Sequence, residues 1–450
     1  MEHREKTIEE ETKFSPEVEE QLKILMRGTF FADEAEGGME RRTNSEVVFE
    51  SAENRGGLRE QMRRELGLRL SSGKPLRVYL GVDPTARSLH IGHLVPVLKL
   101  RQFQDLGHQV VFLIGDYTGL IGDPSGRTQA RIQLDAETLK EMSSNYTDQV
   151  FRILDPTKTE VRRNSEWLAD LRFEDIIRLA AQFPLKQIVA RRDFQERMER
   201  GESLRFHETL YALMQGYDAY ALHCDIQVGG YDQYFNLLAG RVIQEAHGEK
   251  PHVMITLPLL PGTDGRKMSK SYANTVDVTD SPADMFGKVM RISDDLIARY
   301  LESCCMLPAE ELDGLLKQLG DSSVNPMELK LRVAEEITAL YHGAQGGTEG
   351  KAAFERLSMR RETPPDDEIP VKKVEKSMCD GRTPWYAVLA DLGLVESRGA
   401  AKRLIKGGGF KVNGRAVKDW EATLPAAGDD PPSFVIQYGK RNYARLETEG

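Results

Sequence analysis

Cysteine is scarce in this chain. Four occur in 450 residues, Cys224, Cys304, Cys305 and Cys379, and none forms a C-x-x-C pair. That spacing excludes a zinc knuckle, a dithiol redox motif and a disulfide framework, and makes a reducing cytoplasm the expected compartment. Long apolar runs are missing too. No stretch reaches the roughly 18 apolar residues of a membrane-spanning helix, so no membrane association is expected. The N-terminal segment MEHREKTIEEETKF is charged and lacks the apolar centre of a secretory leader. Nor is there an excess of positive charge. The chain has 61 Lys and Arg against 71 Asp and Glu, a net charge of -10, with a pI near 5.6. A surface coated in basic charge for nucleic acid is thereby excluded, whereas a local basic patch is not.

What remains is an ordinary globular balance, 40% hydrophobic and 29% charged, in a length that accommodates two to three domains. Residues 1–75 are mostly charged, with helical spacing at 16–27, where Ser15-Pro16 supplies a cap and first position, and again at 58–70. The pattern changes at Leu76. Residues 76–82 and the continuous apolar run 110–114 read as strands around a helix from Ile91 to Leu106 that Gly107 stops. Strand, helix, strand with short joints implies a parallel sheet. Further strands are expected at 225–228 and 253–257, with helices at 173–181, 209–222 and 233–245. The fold class is α/β: a doubly wound, Rossmann-like catalytic domain over 76–280. Helical patterns at 282–289, 293–302, 308–319 and 326–341 mark an all-α domain over 281–361. The acidic, proline-bearing stretch after it makes 362–382 a linker, and 383–450 a small α/β module.

Two motifs carry chemistry. In Asp83-Pro84-Thr85, four residues, then His90-Ile91-Gly92-His93, two imidazoles share a face at a helix N-terminus. Free N–H groups and the positive dipole end favour phosphate there, and Gly92 removes a side chain where a nucleotide ring approaches. The second is Gly265-Arg266-Lys267-Met268-Ser269-Lys270-Ser271, a basic loop able to close over a triphosphate.

The pair resembles the HIGH and KMSKS signatures of class I aminoacyl-tRNA synthetases. Four further segments narrow the resemblance to the bacterial tyrosyl-tRNA synthetases: Tyr79–Asp83, Thr118–Arg127, Tyr211–Asp218 and Gln227–Gln233. It covers the chain from about Leu76 to the C-terminus. The activity it implies is formation of tyrosyl-adenylate and pyrophosphate from L-tyrosine and ATP, followed by transfer of tyrosine to the 3′-terminal ribose of tRNA(Tyr). By the same resemblance, Tyr79 and Asp218 should bond the substrate phenol; Asp123, Tyr211 and Gln215 its ammonium; and Gln233 should lie near its carboxylate. Gly92, Gly230 and Asp232 should meet the nucleotide, and Asp83 its adenosine side. Thr85, His90 and His93 should stabilise the phosphates from the helix, Lys267 and Lys270 from the loop, and Arg127 and Arg131 from a second basic segment. Magnesium should arrive with ATP, bound through its phosphates, with no protein metal cage. The family forms homodimers through the α/β domain, which is expected here. One departure is Leu80, where some members have cysteine, so a ribose contact is lost.

Residues 398–418 hold seven basic residues and no acidic one: Arg398, Lys402, Arg403, Lys406, Lys411, Arg415 and Lys418. A helix with a basic face, ended by Gly407-Gly408-Gly409, leads into a strand and the Asn413-Gly414 turn. This segment resembles the small RNA-binding module first named from ribosomal protein S-four, and the helical domain before it should read the anticodon by analogy. A tryptophanyl-type synthetase, a non-catalytic RNA-binding paralogue and a small-molecule adenylyltransferase stay open as alternatives.

Overall fold

The structure, a computed structural model, describes residues 13–31, 57–84, 88–124, 136–321, 323–356, 369–426, 433–439 and 442–448. They divide into two compact units, one ending at Thr348 and the other beginning at Glu349.

The first unit is organised around a five-stranded, wholly parallel sheet: β1 (Arg77–Val82), β2 (Gln109–Ile114), β3 (Thr159–Arg163), β4 (Ile226–Gly230) and β5 (Val253–Leu257). The strand order is β3-β2-β1-β4-β5. β2 and β5 are apolar along nearly their whole length because the sheet is covered on both faces. The order reverses between β1 and β4, and a crevice opens outside the carboxyl ends of strands at such a switch point. Helix α3 (Ile91–Asp105) begins there; two earlier helices, α1 (Pro16–Met26) and α2 (Gly57–Leu70), pack on the same unit. Buried Lys99 of α3 ties α1 down by donating to the carbonyls of Ile24 and Arg27 at 3.4 and 2.9 Å. Helices α4 (Phe206–Ala221) and α5 (Tyr234–Ala246) cover the β4 side, and they approach closely because Gly216 has no Cβ to meet the Ala239 and Gly240 backbone.

The expected strands and helices of this unit are present within a few residues of their predicted ends. β3 and the helix Ala136–Val150 are elements the sequence reading omitted. The helix expected at 326–341 runs on to Phe354, across a break at Gly343, whose φ of 76° is left-handed.

The second unit is built on the sheet order β6-β10-β9-β7-β8, with β6 (Val371–Val374), β7 (Phe410–Val412), β8 (Arg415–Ala416), β9 (Phe434–Tyr438) and β10 (Tyr443–Thr448). Two helices, α6 (Trp385–Asp391) and α7 (Arg398–Lys406), pack on it over a core of Trp385, Val388, Leu389, Ile405, Phe410 and Ile436. The segment expected to be linker, 362–382, is corrected here. Its second half contains β6, which pairs in parallel with β10 and belongs to the module's sheet.

Candidate active site

The carboxyl ends of all five strands face one crevice, and most of the chemistry-bearing residues lie on the loops that leave them. After β1 comes Asp83. Its carboxylate accepts from Thr118 Oγ1 at 2.7 Å and from Tyr211 Oη at 2.9 Å. A Cβ on Gly115 would overlap Asp83 Oδ1 and Thr118 Oγ1, so this corner is closed to any residue but glycine. Asp83, expected on the adenosine side, is therefore joined to Tyr211, expected on the amino-acid side.

Tyr79 sits inside β1, fully buried among Val111, Leu113, Leu222 and Cys224, with Trp167 beside it. Its hydroxyl is buried and has no hydrogen-bond partner among the described residues. Burial pushes its pKa well up, with the Cys224 thiol and the Asp218 carboxylate adding to the effect. Asp218, on α4, is buried too. It accepts from Trp167 Nε1 at 2.8 Å and Asn164 Nδ2 at 3.2 Å. Burial raises its pKa well above the ordinary carboxylate range, against those two donors. Gln215, one turn earlier on α4, also has a buried Oε1 without a partner among the described residues.

A second chain of polar groups holds Gln233. Buried Arg191 donates to Asn236 Oδ1 at 3.1 Å, Asn236 Nδ2 donates to Gln233 Oε1 at 2.8 Å, and Gln233 Nε2 donates to Asp123 Oδ2 at 2.5 Å. The amide orientation of Gln233 follows from this relay. Asp232 lies in the same corner. Burial first, and Asp123 second, raise its pKa to about 6, while Lys267, 4.0 Å away, opposes them.

The two motifs meet directly. His90 N-terminates α3, and its backbone pairs with Asp277 beyond the basic loop. Ile91 N donates to Val276 O at 2.9 Å and Val278 N to Leu89 O at 3.0 Å. Lys270 Nζ donates to Ser88 Oγ at 2.6 Å. The His90 and His93 rings stack with centroids 3.6 Å apart. His93 Nδ1 accepts from His90 N at 3.3 Å, which leaves its proton on Nε2. Burial, then the Lys270 charge, lowers the His90 pKa to about 4, so this imidazole is neutral near pH 7. Gly92 lies against the His90 ring, and a Cβ there would stand 3.5 Å from Met268 Sδ. Met268 itself is buried, so the motif's one apolar residue anchors the loop while Lys267 and Lys270 remain exposed.

Asn274 sets the shape of that loop. It accepts from Ser269 N at 2.8 Å and donates to Lys267 O at 3.1 Å and Asp264 Oδ1 at 2.6 Å. Asn274, Asn164, Trp167, Arg191 and Asn236 were not singled out in the sequence, and Thr118 only as the start of a matching segment. Asn164, Trp167 and Arg191 work through partners distant in the chain, so no local spacing marks them, whereas Asn274 bonds within its own loop and Asn236 to Gln233 three residues before it. A Cβ on Gly230 would stand 2.6 Å from Asp232 Oδ1. Thr85, Arg127 and Arg131 lie outside the described residues.

Known proteins converge on this geometry. The model of class I tRNA synthetases of the W and Y type matches residues 71–358. The tyrosine–tRNA ligase of Carboxydothermus hydrogenoformans is 42% identical over 86% of this chain and 93% of its own. That of Moorella thermoacetica is 38% identical over 97% and 98%. The chain belongs to the tyrosine–tRNA ligase family. It is an aminoacyl-tRNA synthetase with ATP as a substrate, and the tryptophanyl-type and non-catalytic alternatives fall away. The S4 domain model matches residues 387–426 in the second unit. The fold agrees with a C-terminally truncated mitochondrial tyrosyl-tRNA synthetase of Aspergillus nidulans, with a TM-score of 0.55 over 76% of this chain and 99% of that one, at 23% identity.

Proposed function

We propose the following division of labour within the ligase reaction. Tyr79 and Asp218 bind the phenol of L-tyrosine. The carrying observation is the buried, unpartnered Tyr79 hydroxyl beside the raised Asp218 carboxyl. A buried polar atom left unpaired costs roughly 1–3 kcal/mol, and a phenol that pairs with it recovers that cost while a phenyl ring does not. Asp123, Tyr211 and Gln215 take the ammonium, and Gln233 lies near the carboxylate. Asp123 supplies the anion that the ammonium needs, and the Arg191-Asn236-Gln233 relay holds it in place.

The tyrosine carboxylate attacks the α-phosphorus of ATP, and the bond to the bridging oxygen breaks as pyrophosphate leaves. No protein nucleophile is required; positioning and stabilisation of phosphate charge supply the catalysis. His90, as a neutral imidazole, and His93 act as donors from the N-terminus of α3. Lys267 and Lys270 bring positive charge from the loop, joined in the family's pattern by Thr85, Arg127 and Arg131. Gly92, Gly230, Asp83 and Asp232 shape the nucleotide side. Magnesium would come with ATP, held through phosphate oxygens and water and not by side chains of this chain, and would neutralise phosphate charge. In the second step the terminal ribose hydroxyl of tRNA(Tyr) attacks the adenylate carbonyl and AMP leaves. The second unit grips the tRNA through Arg398, Lys402, Arg403, Lys406, Lys411 and Arg415, and the helices over 281–361 read the anticodon.

The working form is a homodimer in the cytoplasm. Phe173, Ile177, Leu185 and Phe206 are 80%, 55%, 63% and 76% exposed, on helices that share one core. Apolar exposure of this kind marks an interface. Sedimentation of Phe206→Asp should show a monomer; a dimer of unchanged affinity would remove this surface from the proposal. Tyrosine-dependent ATP–pyrophosphate exchange tests the site, run beside phenylalanine and tryptophan. Exchange that is equal for tyrosine and phenylalanine would refute the Tyr79–Asp218 assignment.

A further inference from the structure

The basic helix α7 of the second unit does not simply present loose lysines to solvent. Lys402 Nζ lies 4.3 Å from the centroid of the Tyr386 ring and 4.3 Å from that of Trp420. Lys406, one turn on, lies 5.3 Å from the same indole. The two rings are 5.9 Å apart and inclined at 43°, forming a wedge. Both rings rest on the apolar core of the unit, which fixes them. Neither lysine has a carboxylate partner among the described residues, whereas Arg398 on the same face is ion-paired with Asp391 at 3.1 Å.

Two unpaired ammonium groups gathered over one indole are mutually repulsive, and an exposed cation–π contact returns only about 0.5–1 kcal/mol each. A dianionic or monoanionic group placed between them removes the repulsion. Holding both stems on a ring also removes rotamer freedom before a ligand arrives, so less is lost on binding. We infer that Trp420 and Tyr386 are positioning residues that assemble Lys402 and Lys406 into one preorganised subsite for a backbone phosphodiester of RNA. This rests on the reading of the second unit as the tRNA-gripping module, and deepens it: the aromatic wedge determines where the phosphate is held.

The test is filter binding of the full chain to a bacterial tyrosine tRNA transcript across about 50–300 mM KCl, with Trp420→Ala, Trp420→Phe, Lys402→Met and Lys411→Ala. Each lost phosphate contact lowers the slope of log K against log salt by roughly 0.7–0.9. Trp420→Ala should weaken binding about fivefold at the lowest salt and reduce that slope by about one contact. Trp420→Phe, which keeps an aromatic face and the packing, should restore most of both. Lys402→Met should add little on top of Trp420→Ala. An equal loss at every salt with an unchanged slope would mean that the indole stacks a base, and an additive double variant would mean that the lysine acts independently of the ring; either overturns the inference. If Lys402→Met and Lys411→Ala both bind as the parent does, the RNA reading of the unit fails, and the inference with it. If only Lys411→Ala weakens binding, that reading stands and the subsite alone is lost.

Discussion

Burying the Tyr79 hydroxyl without a partner costs roughly 1–3 kcal/mol. Tyr79→Phe should therefore leave the melting temperature unchanged or slightly higher, while kcat/KM for tyrosine in pyrophosphate exchange falls about tenfold. Phenylalanine should lose nothing. A tyrosine preference over phenylalanine equal to the parent's would show that another group reads the phenol. His90 gives a second residue-scale prediction. Its pKa is lowered from 6.5 to about 4 by burial and by Lys270. Between these values the unfolded chain holds more protons than the folded one, so stability falls as pH drops through this window. His90→Gln should flatten the dependence of melting temperature on pH between about 6.5 and 4, measured by calorimetry. Buried His252, whose pKa is also lowered by burial, contributes a slope of the same sign, so the effect of His90→Gln is a reduction and not an abolition.

At the scale of elements, the basic loop behaves as a unit because Asn274 bonds to Ser269, Lys267 and Asp264 at once. Asn274→Ala should slow adenylate formation by roughly one to two orders of magnitude, the loss expected when charged groups are mispositioned, while tyrosine binding stays within about twofold. Pre-steady-state fluorescence separates the two, and an unchanged rate with weakened tyrosine binding would contradict the loop's proposed role. Strands show which elements are readable from sequence. β2 and β5 announce themselves as continuous apolar runs because both of their faces are buried. β3 does not. It is an edge strand, Thr-Glu-Val-Arg-Arg, whose charged residues pair outward, Arg77 with Glu160 at 2.8 Å and Arg162 with Glu166 at 2.6 Å. Such an edge carries charge where a central strand carries valine. β6, Val-Lys-Lys-Val, is likewise an edge strand, held by main-chain pairing with β10 that lies some seventy residues further along the chain.

For the whole molecule, β6 decides where the two units can be parted. Ending the chain after residue 356 should retain tyrosine-dependent pyrophosphate exchange and abolish tRNA charging. Ending it at 382 leaves β6 without β10 and exposes Ile369 and Val374, now 3% and 2% accessible. That longer product should aggregate more readily in light scattering than the shorter one; equal behaviour would show that β6 folds without its partner. The sequence by itself determined the chemistry class, because the histidine and lysine motifs are local strings whose spacing is their function. It also determined the βαβ core, because burial on two faces leaves a periodic trace. The resemblance of the two motifs already implied one shared ATP site; only the tertiary structure decided how they meet, His90 pairing with Asp277 and Lys270 reaching Ser88. It decided too that Tyr79 is orphaned beside an Asp218 held by Asn164 and Trp167. These are contacts between residues tens to hundreds of positions apart. They arise when strand order folds the chain back on itself, and no spacing along the chain encodes them.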